Sequence, residues 1–250
     1  MGFGPPITPP VVKQLLIANA AVFVAQILFQ GWGLESLVAL GAVTPREFWS
    51  GALWQPFTYM FLHGGIGHIA LNMLALWMFG SPLALAWGTR RFLRFYLFCG
   101  VAAGLLIVTL PYLFGLFGLH FSSLSPNIPT LGASGAIYGV LLAYSLTWPN
   151  RTIMLIFPPV AFRAIWLIPI LFLMESMTGP SNVSHVGHLG GAAAAWLYLQ
   201  REGGTGSLPT LEQLRYRWRR WRMRGRLRAV RREDEILRER SRDPHDRTIH

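Results

Sequence analysis

A single cysteine, Cys99, leaves this 250-residue chain without an internal disulfide. Charge is also sparse: Asp, Glu, Lys and Arg make up 13% of the residues, about half the roughly 25% usual in soluble domains. Acid is scarcest. No Asp precedes position 201, and the only carboxylates there are Glu35, Glu47 and Glu175. Met1 to Pro10 has neither a basic start nor an apolar run ahead of a cleavage site, so no cleaved signal peptide is expected. What the chain does have is apolar length. Hydrophobic residues are 52% of it, and several runs approach the ~18–20 residues that cross a hydrocarbon core.

The fold class expected is an all-α membrane protein with six spans: Val11–Gln30, Phe57–Gly80, Phe92–Phe117, Leu131–Trp148, Ala164–Met177 and Val183–Gln200. Residues 1–200 form the membrane domain and 201–250 an Arg-rich tail. Arg90, Arg91 and Arg94 lie between spans two and three, Arg151 and Arg163 between four and five, and the tail follows six. By the positive-inside rule these connections are cytoplasmic, and so are both termini. Spans two, four and six then run in the same direction. The connection 31–56, with Trp32, Trp49 and Trp54, lies on the other side, where tryptophans mark the interface.

Two glycine-framed polar residues stand out in the apolar runs. Ser134 sits in Gly132-Ala133-Ser134-Gly135, and His188 in His185-Val186-Gly187-His188-Leu189-Gly190-Gly191. Ser134 precedes the inner end of span four by about 14 residues and His188 that of span six by about 12, or ~21 and ~18 Å of helix. Both land ~10 Å below the outer edge of a ~30 Å core. Small residues around them, including Gly139 and Ala192–Ala195, let two helix backbones approach closely. A hydroxyl in reach of an imidazole makes an activated nucleophile. A lone Ser in an apolar helix more often bonds its own i−4 carbonyl, so the pairing carries the argument.

In the first turn of a helix, Ser134 can offer its backbone N–H to a developing oxyanion. His68 and Asn72, four apart on one face of span two, are candidate side-chain donors. The three early carboxylates fall in or near outer connections, so a Ser–His dyad without a third carboxylate is expected. Tyr138, at i+4 from Ser134, is placed to pack on the imidazole. His185 competes with His188 for the role of base. His188 is preferred because Leu189-Gly190-Gly191 puts the small-residue surface beside it; His185, nearer the outer end, reads as solvated or gating. His63 and His68 are spaced i+5, poor for a shared metal face, and no Cys or Asp completes a tetrahedral set. No metal and no cofactor are expected.

Gly132-Ala133-Ser134-Gly135 with Tyr138, His63-x4-His68-x3-Asn72, and His188-Leu189-Gly190-Gly191 together resemble the rhomboid intramembrane serine proteases over residues 10–200. The resemblance implies a six-helix core around a wet, outward-opening site. Ser134 would be nucleophile and His188 general base and acid. His68, Asn72 and the Ser134 N–H would form the oxyanion hole. Substrates would be single-span membrane proteins cut in or near the bilayer. Two positions depart from the family pattern: Gln55 follows Trp54 where many members have Arg, and Ala84 stands where many carry Glu. Both bear on anchoring and gating of the first loop.

A non-catalytic rhomboid-like protein that holds membrane clients is the alternative. Such proteins typically lack the Ser or the His, and both are here. A channel or transporter needs polar residues across the whole membrane, whereas here they cluster in the outer half. The tail carries ten Arg between 215 and 232, interleaved with Tyr216, Trp218 and Trp221. That pattern reads first as the positive-inside signal on a surface helix; the sharper alternative is binding of anionic lipid at ~1 kcal/mol per basic residue, which suits it better than nucleic acid. A multi-pass protein of a bacterial inner membrane is the expected setting.

Overall fold

The computed structural model describes residues 4–31, 36–119, 125–154, 160–178 and 185–202. Met1–Gly206 make one compact unit. The Arg-rich tail, and with it the lipid-binding expectation, lies outside the described residues, as do Trp32, Glu35 and Pro158-Pro159.

The chain is mostly helical. Helix α1 (Pro10–Gly31) begins with a proline at its first position, where the missing N–H has no intrahelical partner to lose. Its Ile17, Val24, Ile27 and Leu28 are exposed. A helix apolar on its outward face as well as its packed one belongs in lipid. The next stretch folds into short helices, α2 (Ser36–Gly41), α3 (Pro45–Trp49) and α4 (Gln55–Thr58), with a 3-10 turn at Tyr59–Phe61. Helix α5 (Ile66–Ala75) then continues through a π-helical turn (Leu76–Gly80) into α6 (Ser81–Trp87).

The second span is thus displaced from the expected Phe57–Gly80 to Ile66–Trp87. Tyr59–Leu62 is apolar because it packs: Tyr59, Met60 and Leu62 are buried, and the Tyr59 hydroxyl donates to the Gly100 carbonyl at 2.7 Å. At the other end, Pro82 does not stop the helix. The widened turn immediately before it takes up the ring and the missing donor, as π-bulges do. Gly88, at φ +80°, reverses the chain into α7 (Thr89–Leu116).

Helix α8 (Ser134–Thr147) has 14 residues. A two-stranded antiparallel hairpin, β1 (Thr152–Met154) and β2 (Ala161–Arg163), follows it, with Ile153 opposite Phe162. Helix α9 (Leu167–Thr178) is entered through a 3-10 turn at Ala164–Trp166, and α10 (His185–Arg201) is the last described. Among the described residues three helical segments, Pro10–Phe29, Ile66–Trp87 and Thr89–Leu116, are long and apolar enough to cross a membrane. Helices α7, α8 and α10 pack on one another at the centre.

Glycine sets how close they come. A Cβ at Gly191 of α10 would overlap the Gly135 carbonyl of α8, and one at Gly139 would lie 2.7 Å from Cys99 Sγ of α7. At the far end of α10, Glu202 pairs with Arg91 at 2.7 Å.

Candidate active site

The stretch leading to Ser134 is pinned before the helix starts. Val43, between α2 and α3, exchanges both backbone hydrogen bonds with Thr130 at 2.9 Å, and the Gly132 N–H donates to the Tyr59 carbonyl at 2.9 Å. The Arg46 N–H donates to the Pro126 carbonyl. Non-helical backbone thus runs beside protein, as it must at membrane depth. Gly132 has φ +130°, and a Cβ there would lie 2.8 Å from His68 Nε2 and 3.7 Å from Ser134 Oγ. Only glycine suits both the backbone and the space. Ser134 is the first residue of α8, in the turn whose N–H groups lack intrahelical acceptors.

His188 is in the first turn of α10 and buried. Its Nε2 lies 2.7 Å from Ser134 Oγ. Tyr138, one turn along α8 from Ser134, stacks on the imidazole with ring centroids 4.3 Å apart and planes 8° from parallel. The residues singled out as nucleophile, base and imidazole support are therefore in mutual contact.

One expectation is overturned. A carboxylate does reach the pair: Glu175 Oε2, near the end of α9, is 2.8 Å from His188 Nδ1, and the Tyr138 hydroxyl donates to the same oxygen at 2.8 Å. Glu175 lies in the last turn of α9, at the outer end of the expected span five, and that turn is packed beside His188 rather than turned away from it. The signal was present in the sequence: an acidic residue inside an apolar segment marks a site. Since an ionised carboxylate only accepts, Nδ1 must carry the imidazole proton. Nε2 is then free to accept from the Ser134 hydroxyl.

His68 is half-buried on α5. Its Nδ1 accepts from the Gly64 N–H at 3.3 Å, which leaves Nε2 as the protonated nitrogen, facing the space beside Gly132 and Ser134. Asn72 is buried one turn further on. One of its amide hydrogens goes to the His68 carbonyl at 3.0 Å, and the second remains for another acceptor. His63 is buried with its ring edge-on to His68, centroids 5.1 Å apart. Its backbone is clamped by Gln26 of α1, which accepts from the His63 N–H at 3.0 Å and donates to its carbonyl at 3.2 Å.

His185 makes no contact with Ser134 in the described network. It packs edge-on against Phe172 at 5.5 Å, half-buried with Nε2 enclosed, rather than solvated as expected.

Of the two departures, Gln55 has taken over an anchoring role. It is 1% exposed, accepts from the Thr44 N–H at 3.0 Å and donates to Glu47 at 2.7 Å, tying α3 to α4. Ala84 is buried in α6, and its methyl group offers nothing to hydrogen-bond where a Glu would. Trp49 and Trp54, both largely exposed, fasten the same loop through their indole N–H groups, to the carbonyls of Val108 and Leu40.

Comparison with known proteins agrees with this geometry. Residues 50–201 match the Rhomboid domain family model. The chain is 34% identical over 201 residues to RHOMBOID-like protein 12, mitochondrial, of Arabidopsis thaliana, covering 74% of this chain and 56% of that one. It is 33% identical over 183 residues to Rhomboid protease GluP of Bacillus subtilis, covering 69% and 31%. It is 32% identical over 142 residues to Rhomboid protein 1, mitochondrial, of Saccharomyces cerevisiae, covering 55% and 38%. The chain thus spans between about a third and just over half the length of these relatives. Two of their names place them in mitochondria, so kinship lends no support to a bacterial inner membrane in particular. An integral membrane location follows from the domain itself.

Proposed function

This chain belongs to the rhomboid family, and we propose that it is a serine endopeptidase cutting single-span membrane proteins in or near the bilayer. The 2.7 Å approach of His188 Nε2 to Ser134 Oγ carries the reading. The polypeptide crosses six times with both termini cytoplasmic; Arg90, Arg91 and Arg94 after Gly88, and Arg151 and Arg163 flanking the hairpin, support that orientation. Ser134, His188, His68 and Asn72 then lie toward the outer leaflet, where water reaches them.

The chemistry is acyl transfer to water. A substrate segment unwinds and presents its carbonyl to Ser134. The hydroxyl proton passes to His188 Nε2 as the Oγ–C bond forms. His68 Nε2–H, the second Asn72 N–H and the Ser134 backbone N–H are the donors for the oxyanion. The His188 proton then goes to the leaving amine as the C–N bond breaks, and water, activated by the same imidazole, releases the acyl group. Tyr138 keeps the ring in plane throughout.

A fluorophosphonate probe applied to the protein in detergent micelles, followed by mapping of the modified residue, tests this directly. Modification at Ser134, abolished in His188→Ala, is expected. A folded protein that stays unmodified while still binding a transmembrane peptide would instead identify a client-holding, non-catalytic rhomboid.

A further inference from the structure

We propose that Glu175 is a positioning residue for this hydrolysis, holding His188 in its reactive tautomer and stabilising the imidazolium, so that this chain works a Ser–His–Glu relay rather than a bare Ser–His pair. The inference rests on the protease reading above and deepens it.

The geometry points there from three directions. Glu175 Oε2 takes two hydrogen bonds, from His188 Nδ1 and from the Tyr138 hydroxyl, each 2.8 Å long. Two donors on one oxygen hold it in place. The Tyr138 ring lies flat on the imidazole, so one side chain both stacks on His188 and orients the carboxylate behind it. The third direction is tautomer logic. A neutral imidazole without a partner at Nδ1 divides its population between two tautomers, and only the Nδ1–H form accepts from serine. An acceptor-only group at Nδ1 selects that form, the role played by the carboxylate in serine triads.

Glu175 takes no proton in the cycle. The serine proton moves to Nε2 and onward to the amine, while the carboxylate faces the positive charge that appears on the ring between those steps. Among the described residues, the titratable groups around His188 are Glu175 from α9, Tyr138 from α8, His68 from α5 and His185 from its own helix. Glu175 is the one acidic residue among them.

Glu175→Gln separates charge from shape. The amide oxygen can still accept from both Tyr138 and Nδ1–H, but the negative charge is gone. Losing it removes the charge that faces the imidazolium across 2.8 Å. The acid limb of kcat/KM should move down by about one pH unit or more, and kcat should fall about 10²-fold or more with KM changed less than about threefold.

Tyr138→Phe keeps the stack and removes one donor from the carboxylate. The carboxylate becomes a stronger acceptor for Nδ1–H, so the limb should move the other way, to higher pH. An activity-independent readout accompanies both: the His188 titration midpoint by 15N NMR of the full chain in micelles, assigned by its loss in His188→Asn. Midpoints moving in opposite directions in the two folded variants support the assignment. An unmoved midpoint and acid limb in either folded variant overturn it. If the wild type does not react with the serine probe yet the midpoints still move apart, the protease reading fails and the positioning by Glu175 stands.

Discussion

His188 and His63 are buried almost equally, 5% and 2% exposed, yet they are held in opposite ways. His188 uses both ring nitrogens, one on Ser134 and one on Glu175. Neither ring nitrogen of His63 meets a hydrogen-bond partner among the described residues. The Phe61 carbonyl lies nearby without hydrogen-bonding geometry. The firm hold on His63 is on its backbone, through Gln26. Burial alone therefore does not separate the proposed base from a packing histidine; the polar partners of the ring do.

The largest expected effect breaks the His188 side. Ser134→Ala and His188→Ala should each lower cleavage of a model transmembrane substrate by about 10⁴-fold or more, since a paired nucleophile and base act as one unit. Ser134→Ala should keep the wild-type melting temperature within a few degrees, whereas His188→Ala removes a buried, stacked ring and should lower it, so retention of fold is checked by thermal unfolding alongside cleavage.

Next comes the surface that makes the pairing possible. A methyl at residue 191 would overlap the Gly135 carbonyl, so Gly191→Ala must push α10 away from α8. Overpacking of this kind costs about 1–3 kcal/mol. The displacement matters more for the rate: a misplacement near 1 Å costs about 10² in turnover. Thermal unfolding and single-turnover cleavage, measured on the same preparation, check the two parts separately.

On the donor side the loss in turnover is expected to be comparable, but without the loss of stability. His68→Ala and Asn72→Ala each remove one proposed oxyanion donor, worth about 10²–10³ in kcat with KM nearly constant. A rise in KM with unchanged kcat would assign these side chains to substrate binding instead.

Much of this arrangement is legible in the residues themselves, for physical reasons that also mark where legibility stops. Helices α1 and α7 fall within a few residues of the apolar runs that announce them, because a continuous run in lipid has few other options. The Ser134–His188 encounter follows from glycine spacing and matched depth. Segment Phe57–Leu62 is misleading, since apolarity reports burial in protein as readily as exposure to lipid. The hairpin at 152–163 has three-residue strands with only Ile153 buried, too short for an alternating pattern to emerge. Glu175 falls inside the expected span five; what the residues do not reveal is that its face meets His188, although a charge in an apolar run is itself the clue. Gln55 shows the converse. Its departure from the family's usual arginine marked the position, but only the structure shows the amide bridging Thr44 and Glu47 in place of a charge.

The smallest expected effect returns to His63. If its ring serves only as packing for His68, then His63→Leu should be nearly silent. Leucine has similar bulk, the Gln26 clamp grips backbone atoms that the substitution leaves in place, and no ring hydrogen bond is lost. Volume-conserving changes in a core usually cost under about 1.5 kcal/mol, and exchanging a buried polar group without good partners for an apolar one offsets part of that. Cleavage should stay within about threefold of wild type, because at most a slight tilt of His68 reaches the oxyanion. Replacing Gln26 instead, by Leu, removes both clamps on the backbone and should cost more than changing the ring. The reverse order, with His63→Leu lowering kcat about 10²-fold while Gln26→Leu is silent, would mean that the His63 ring acts on His68 through its nitrogens, and the contrast between the two buried histidines would have to be redrawn.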